Sequence, residues 1–539
     1  MRGLKMWPRS IAAVAYWLLW LLRASSVAAG AFSSYGGPDR GHAAFHEQRR
    51  LRQAAHSAKH SQHQSVERRS GQYLNEQTKA FAVDGSAIPD VDFDVGESYS
   101  GLLPISNLPD EDRKLYFWFF PSTNPDATED ITIWLNGGPG CSSLEGFLQE
   151  NGPFLWQYGT FKPVSNPYSW HRLTNMIWID QPLGTGFSVG QANVTSEVDV
   201  GLQFLGFLKN FVELFGLQGK KIYLTGESYA GMFVPYIANA MLDANDTSLY
   251  NLDGIMIYDP TIASNDVERE LFAYSTYETW SKLFAFNQTF ADEIRTRAKS
   301  CGATDFIEKY MTFPPIGPMP PAPSGCDLYY TIGDNAFIPN PCWDPYHLAT
   351  TCPNLWDVLG SPGAYSYVPA GASIYFNRPE VQKAIHAPNY TWSECTNNPV
   401  FVNDIDLTAA AGLWTSQTVL PRVIEKVSRA IIGQGDMDYT ILPNATLLAI
   451  QNMTWSGQQG FQGPVDGTFY VPPDANMSAA SGIMGRTRSE RGLTFVEVNL
   501  CGHMVPQYQP SAAFRNLEFL LGRVESLESE VPFTVEPIS

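Results

Sequence analysis

The chain has 539 residues, 44% of them apolar, which is enough for a large packed core in one domain with insertions or in two. Residues 1–70 hold 11 of the 35 basic and 3 of the 54 acidic residues, so the net charge of −19 becomes −27 beyond them. So acidic a surface excludes nucleic acid and anionic membranes as partners and suits work at acidic pH, where many carboxylates are neutral.

The first segment, residues 1–29, reads as a signal peptide. Arg2, Lys5 and Arg9 precede an apolar run, Ile11 to Leu22, and small residues follow at Ser26 to Gly30. The run is too short to span a bilayer, and no later stretch is long and apolar enough, so no membrane anchor is expected. Residues 30–70 are basic and His-rich, with His42, His46, His56, His60 and His63 and the pair Arg68-Arg69. They lack apolar periodicity and read as a disordered leader or a propeptide cut after Arg69. The irregular histidine spacing does not suit a metal site. The acidic tail, 527–539, carries neither an anchor nor a retention signal.

Residues 71–264 have an α/β rhythm. Leu115 to Phe120, Ile131 to Leu135, Met176 to Ile179, Ile222 to Leu224 and Ile255 to Tyr258 read as strands, and Val200 to Phe215 as a helix between them. The alternation implies a mostly parallel sheet covered by helices on both faces. From 265 to 372 the rhythm yields to Pro- and Cys-rich sequence, read as an insertion pinned by local disulfides. The core resumes over 373–526, with Pro379 to His386 as a helix, Ala430 to Ile432 and Thr494 to Val498 as strands, and Pro510 to Val524 as a closing helix.

Seven cysteines behind a signal peptide imply disulfides with at least one thiol left over. Asn193, Asn245, Asn287, Asn389, Asn444, Asn452 and Asn476 each open a glycosylation sequon, which suits a secreted or vacuolar glycoprotein.

The chemistry begins at Gly226-Glu227-Ser228-Tyr229-Ala230-Gly231, between a strand and a helical pattern. Strand, tight turn with a central serine, and helix make a nucleophile elbow, with Ala230 in the usual place of a second glycine. The serine needs a base. Five of the nine histidines lie in the leader. The elbow order of serine, acid, histidine excludes His171. His347 sits in the insertion and His386 at a helix end, which leaves His503 on the loop after the last core strand. Asp436 and Asp438, both in Gly435-Asp436-Met437-Asp438-Tyr439, compete as the acid, and spacing leaves the choice open. Asn136-Gly137-Gly138-Pro139-Gly140 follows an early strand and suits an oxyanion loop, with the N–H of Tyr229 as second donor.

Five segments taken in order resemble the serine carboxypeptidase family: Trp134 to Ser143, Asp180 to Ser188, Gly226 to Gly231, Gly435 to Tyr439 and Gly502 to Pro506. The resemblance covers about residues 85–525 and implies an α/β-hydrolase fold. It implies Asp438 as the acid beside Ser228 and His503, and Gly138 with Tyr229 as the oxyanion donors. It also implies that Asn136, Glu150 and Glu227, supported by Trp134 and Gly137, bind the substrate's terminal carboxylate. Glu145 and Met504 fall at substrate pockets, and an acid at 145 would favour a basic C-terminal residue. Cys141 would pair with Cys395. Cys301, Cys326, Cys342 and Cys352 would form two bridges of unspecified pairing, leaving Cys501 as a buried free thiol. The expected enzyme removes single C-terminal residues from peptides and proteins at acidic pH through an acyl-enzyme on Ser228, with no metal or organic cofactor, in the secreted or vacuolar space. An acyltransferase on the same scaffold and a silent binding glycoprotein are the rival readings.

Overall fold

The computed structural model describes residues 71–127, 129–360, 371–474 and 479–535. The expected signal peptide, the leader with Arg68-Arg69, the sequon at Asn476 and the end of the acidic tail lie outside the described residues.

Alternation along one strand shows how the core is divided. In Lys114–Phe120, Leu115, Phe117 and Phe119 enter one apolar layer, and Tyr116, Trp118 and Phe120 enter the other. Successive side chains of a strand point to opposite faces, so a strand buried on both faces is apolar throughout. We number the sheet strands β1 (Ala82–Val83), β2 (Ser98–Pro104), β3 (Lys114–Phe120), β4 (Asp130–Leu135), β5 (Asn175–Asp180), β6 (Lys221–Glu227), β7 (Leu252–Tyr258), β8 (Arg429–Gly435), β9 (Gly467–Val471), β10 (Gly482–Glu490) and β11 (Leu493–Val498). Their order in the sheet is β1-β2-β3-β5-β4-β6-β7-β8-β11-β10-β9. The central run from β5 to β11 is parallel, and antiparallel strands extend it at both edges.

One face is covered by α1 (Glu197–Phe215) and α2 (Ala230–Ala244). Phe211 of α1 lies edge-on to Phe117 at 5.3 Å. On the other face Trp118 stacks on Phe147 at 4.2 Å, and the closing helix α3 (Pro510–Leu520) buries Phe514 and Leu517. This helix stops short of the expected Val524. Similarly, the helix expected over Pro379 to His386 ends at Ala384. His386 instead has φ +50°, a left-handed turn that no helix accommodates.

The sequence between β7 and β8 builds a third apolar cluster from helices such as Ala273–Thr279, Gln288–Ser300 and Tyr329–Ala336. This insertion is thus helical as well as disulfide-pinned, by Cys301–Cys326 and Cys342–Cys352. No sheet strand follows Ile374 until β8. The cluster also takes in Met437, Tyr439 and Leu442 from the loop after β8. Among the described sequons, Asn193, Asn245, Asn287, Asn389 and Asn444 are exposed, and Asn452 is half-buried with its Oδ1 accepting from Met319 N–H. Among the described residues no helix is long and apolar enough to cross a membrane.

Parallel registry aligns the carboxyl ends of β4, β6, β7, β8 and β11. Leu135 pairs with Gly226, Gly226 with Ile257, and Gly435 with Val498. In open α/β sheets that edge is where ligands bind.

Candidate active site

At the end of β6 the chain turns through Ser228, whose φ of +61° is left-handed. For a non-glycine residue such backbone strain costs about 1–3 kcal/mol. Three hydrogen bonds hold the turn: Ser228 N–H donates to Tyr258 O, and Ser228 O accepts from Gly231 N–H and Thr261 N–H, each at 2.9 Å. The flanking residues are small because backbones cross here. A Cβ on Gly226 would lie 2.3 Å from Leu135 O and 2.7 Å from Ala230 Cβ. Ala230 is fully buried against that crossing, so its one methyl group is the limit.

His503 lies on the loop after β11, buried, with Nδ1 2.7 Å from Asp438 Oδ2. Asp438 also accepts from Thr440 N–H at 2.7 Å and Ile441 N–H at 3.2 Å. Asp436 instead turns away and accepts from Cys501 N–H at 3.2 Å. The geometry therefore separates the two aspartates that spacing could not. Nε2 of His503 has no hydrogen-bond partner among the described residues and shares a cavity of about 350 Å³ with Ser228.

Gly137 and Gly138 form the opposing wall. A Cβ on Gly137 would stand 2.4 Å from Tyr229 N, so only glycine lets the loop lie against the elbow. Neither Gly138 N–H nor Tyr229 N–H takes part in a hydrogen bond among the described residues, and both residues line the cavity. The Cys141–Cys395 disulfide ties the end of this loop to the segment after the insertion.

Behind the loop, Asn136 is oriented by its partners. Its Oδ1 accepts from Trp134 Nε1–H at 2.8 Å and Gly146 N–H at 3.2 Å, which turns Nδ2 the other way. Nδ2 meets Glu145 Oε2 at 3.0 Å, Glu227 Oε1 at 3.0 Å and Glu150 Oε1 at 3.5 Å. Three buried carboxyls thus surround one amide. Burial, then their mutual repulsion, raises Glu227 and Glu150 well above the usual carboxyl range; burial, then Asp357, raises Glu145 to about 8. Oε2 of Glu150 and of Glu227 has no hydrogen-bond partner among the described residues.

Glu145, Glu227 and Met504 reach the cavity, whereas Trp134, Asn136, Glu150 and Asp438 sit behind its lining. Among the lining residues that sequence reasoning passed over are Glu394, Tyr158 and Arg269. Glu394 was within reach of the expected Cys141–Cys395 pairing, since its carbonyl accepts from Ser142 N–H at 2.7 Å. Tyr158 and Arg269 carried no signal. Two other described histidines have their own partners. Burial, then Arg172, lowers His171 to about 3, and it bonds Ser169; His347 stacks on Tyr508 at 4.4 Å.

The family model described as serine carboxypeptidase matches residues 89–522. A probable serine carboxypeptidase of Arthroderma benhamiae is 51% identical over 477 residues, covering 85% of this chain and 89% of the relative. Serine-type carboxypeptidase F of Aspergillus niger is 46% identical over 497 residues, covering 88% and 92%. The crystal structure of a prohormone-processing carboxypeptidase from Saccharomyces cerevisiae, at 22% identity, matches with a TM-score of 0.64 over 84% of this chain and 98% of that one, which shows a common fold. With the family model spanning most of its length and relatives this similar along it, the chain belongs to the serine carboxypeptidase family.

Proposed function

We propose that this serine-type carboxypeptidase releases single C-terminal residues from peptides at acidic pH through an acyl-enzyme on Ser228. Ser228 Oγ attacks the last peptide carbonyl while His503 Nε2 takes its proton, and Asp438 holds the imidazole tautomer through Nδ1. The N–H groups of Gly138 and Tyr229 receive the oxyanion. His503 passes the proton to the departing amine, and water then cleaves the ester by the reverse sequence.

The observation that carries this reading is adjacency. Glu227 immediately precedes Ser228 and faces Asn136 Nδ2. A terminal carboxylate held by Asn136, Glu150 and Glu227 stands one residue from the nucleophile, which leaves room for a single departing residue. Trp134 and Gly137 support that pocket. At acidic pH Glu150 and Glu227 are protonated and donate to the substrate carboxylate; once ionised they repel it. Glu145, joined by Glu394 and with Met504 beside it, lines the pocket for the departing side chain and favours a basic one.

The apolar N-terminal run and the exposed sequons support export of a glycosylated chain to the secreted or vacuolar space, with residues 30–70 as a propeptide. Stoichiometric labelling by a fluorophosphonate, lost in Ser228→Ala together with release of single amino acids from a peptide library, tests the assignment. Labelling unchanged in Ser228→Ala defeats it. Transfer of the acyl group to an added amine in preference to water would instead favour the acyltransferase reading.

A further inference from the structure

A second carboxyl lies beneath the acid of the triad. Asp259 directly follows β7, is fully buried, and has φ +44°. Its N–H donates to Gly433 O at 2.9 Å. Its Oδ1 accepts from Gln434 Nε2–H and, at 2.9 Å, from Gly435 N–H. Gln434 is itself fixed, donating to Ile441 O at 3.0 Å and accepting from Thr446 Oγ1–H at 2.6 Å. With Oδ1 saturated, Oδ2 is left facing Asp438 and meets no donor among the described residues. An oxygen of Asp259, an oxygen of Asp438 and a ring nitrogen of His503 all lie within 4.8 Å of one another.

Two carboxyls in contact inside a dry core do not both ionise. The hydrogen bonds say which one keeps the proton. Asp438 receives Thr440 N–H, Ile441 N–H and His503 Nδ1, a set that suits a carboxylate. Asp259 Oδ2 has only Asp438 to address. The other titratable groups turned toward Asp259 are Tyr258 before it, Glu227 at the end of β6, Glu150 behind the oxyanion loop, and Cys501 beside His503. None is a cation. Burial, then the charge of Asp438, raises the Asp259 carboxyl well above its usual range, in accord with the geometry.

We propose that Asp259 carries a proton on Oδ2, donates it in a hydrogen bond to the Asp438 carboxylate, and thereby weakens the hold of Asp438 on the His503 imidazolium. A carboxylate that accepts a hydrogen bond from a neutral acid spreads its charge and stabilises an adjacent imidazolium less. Asp259 is a positioning residue that acts through Asp438 and touches no substrate. The inference rests on the triad reading of Ser228, Asp438 and His503.

The test is the pH dependence of kcat/KM for an ester substrate without a free carboxylate, so that Glu150 and Glu227 do not enter. Asp259→Asn keeps both functions of the residue: its Oδ1 accepts the same two donors and its Nδ2–H replaces Oδ2–H. Its acid limb should coincide with that of the parent enzyme. Asp259→Ala removes the donor, and its acid limb should move to higher pH by about one unit. Any other pattern, with both limbs moved or neither, overturns the proposal. Should Asp259→Ala fail to fold, infrared difference spectra of parent minus Asp259→Asn decide. A protonated-carboxyl band persisting at neutral pH and missing from the variant supports it, and no such band overturns it. The triad itself is tested separately by fluorophosphonate labelling of His503→Ala: labelling at the parental rate removes the triad, whatever Asp259 does.

Discussion

The backbone N–H of His503 donates to the carbonyl oxygen of Tyr346, 2.8 Å away, and the Tyr346 ring stands edge-on to the imidazole at 5.1 Å. The insertion therefore holds the loop that carries the base. Neighbouring residues do the same for the acid: Tyr439 N–H donates to Pro345 O at 2.8 Å, and Leu348 N–H to Met437 O at 3.0 Å. Three residues of the insertion, Pro345, Tyr346 and Leu348, clamp both loops. Tyr439, stacked on Tyr329 at 4.9 Å, anchors the clamp in the third apolar cluster.

Truncating the aromatic part of that clamp should loosen the imidazole. An edge-on aromatic contact contributes about 0.5–1.5 kcal/mol, so Tyr346→Ala should lower kcat for an ester about 2- to 10-fold. Tyr346→Phe should stay near the parent. Identical kcat in Tyr346→Ala and the parent enzyme would remove the ring from the account.

The buried acids behind the oxyanion loop predict a pH-dependent KM. Burial raises both Glu150 and Glu227, then Glu145 raises Glu150, and Glu150 and Glu145 raise Glu227, so they are protonated at acidic pH and lose their protons as pH rises toward and beyond neutrality. Peptide KM should then rise with pH, while ester hydrolysis falls less. Glu227→Gln, a permanent neutral donor, should flatten the rise. A peptide KM independent of pH in the parent enzyme would sink the carboxylate role.

Selectivity for the departing residue should follow Glu145. Raised to about 8, it is mostly neutral at acidic pH and gains charge toward neutrality. The preference for a C-terminal Lys over Leu, read as the ratio of kcat/KM, should grow from acidic to neutral pH. It should fall by about tenfold in Glu145→Gln, the scale of one charge-assisted hydrogen bond. A ratio of one at every pH would discard Glu145 as a determinant.

Stability should be greatest in acid. Burial raises Asp180 to about 6, Asp344 to about 6, Asp436 to about 7, and Glu145 and Glu268 to about 8. The folded state binds these protons more tightly than the unfolded chain. Their contribution is complete below the ordinary carboxyl range and is lost as pH rises through 6 to 8. The Tm should fall over that interval, and Glu268→Gln should reduce the slope. A Tm that rises from pH 6 to pH 8 would contradict the sign.

Cys501 predicts a slow thiol chemistry. It is buried beside His503, with Sγ 3.5 Å from Gly502 O and 4.0 Å from Val505 O, and burial followed by nearby carboxylates raises the thiol well above its usual range. A mercurial that binds it should block activity, and alkylating agents should react only on unfolding. Equal mercurial sensitivity in Cys501→Ala would place the inhibition elsewhere.

Much of this molecule was legible in the residues alone. A strand buried on both faces is apolar throughout, so β3 to β8 stood out, and the small residues around Ser228 announced a crossing of backbones. The antiparallel outer strands β1, β2, β9 and β10 did not stand out, because β1 has two residues, β9 and β10 are partly exposed, and β2 mixes serines and a glycine into its buried positions. The helices of the insertion were masked by its proline and cysteine content. Tertiary structure decided three matters. It set Asp438 against His503, which spacing left open and the family resemblance implied, because the nearby Thr440 and Ile441 N–H groups orient the Asp438 carboxyl while Cys501 N–H holds Asp436 elsewhere. It brought Glu394 and Arg269 to the cavity, far from the elbow in sequence. It also placed Asp259 under Asp438, a contact between residues 179 positions apart that no local pattern records and that only the parallel pairing of β7 with β8 creates.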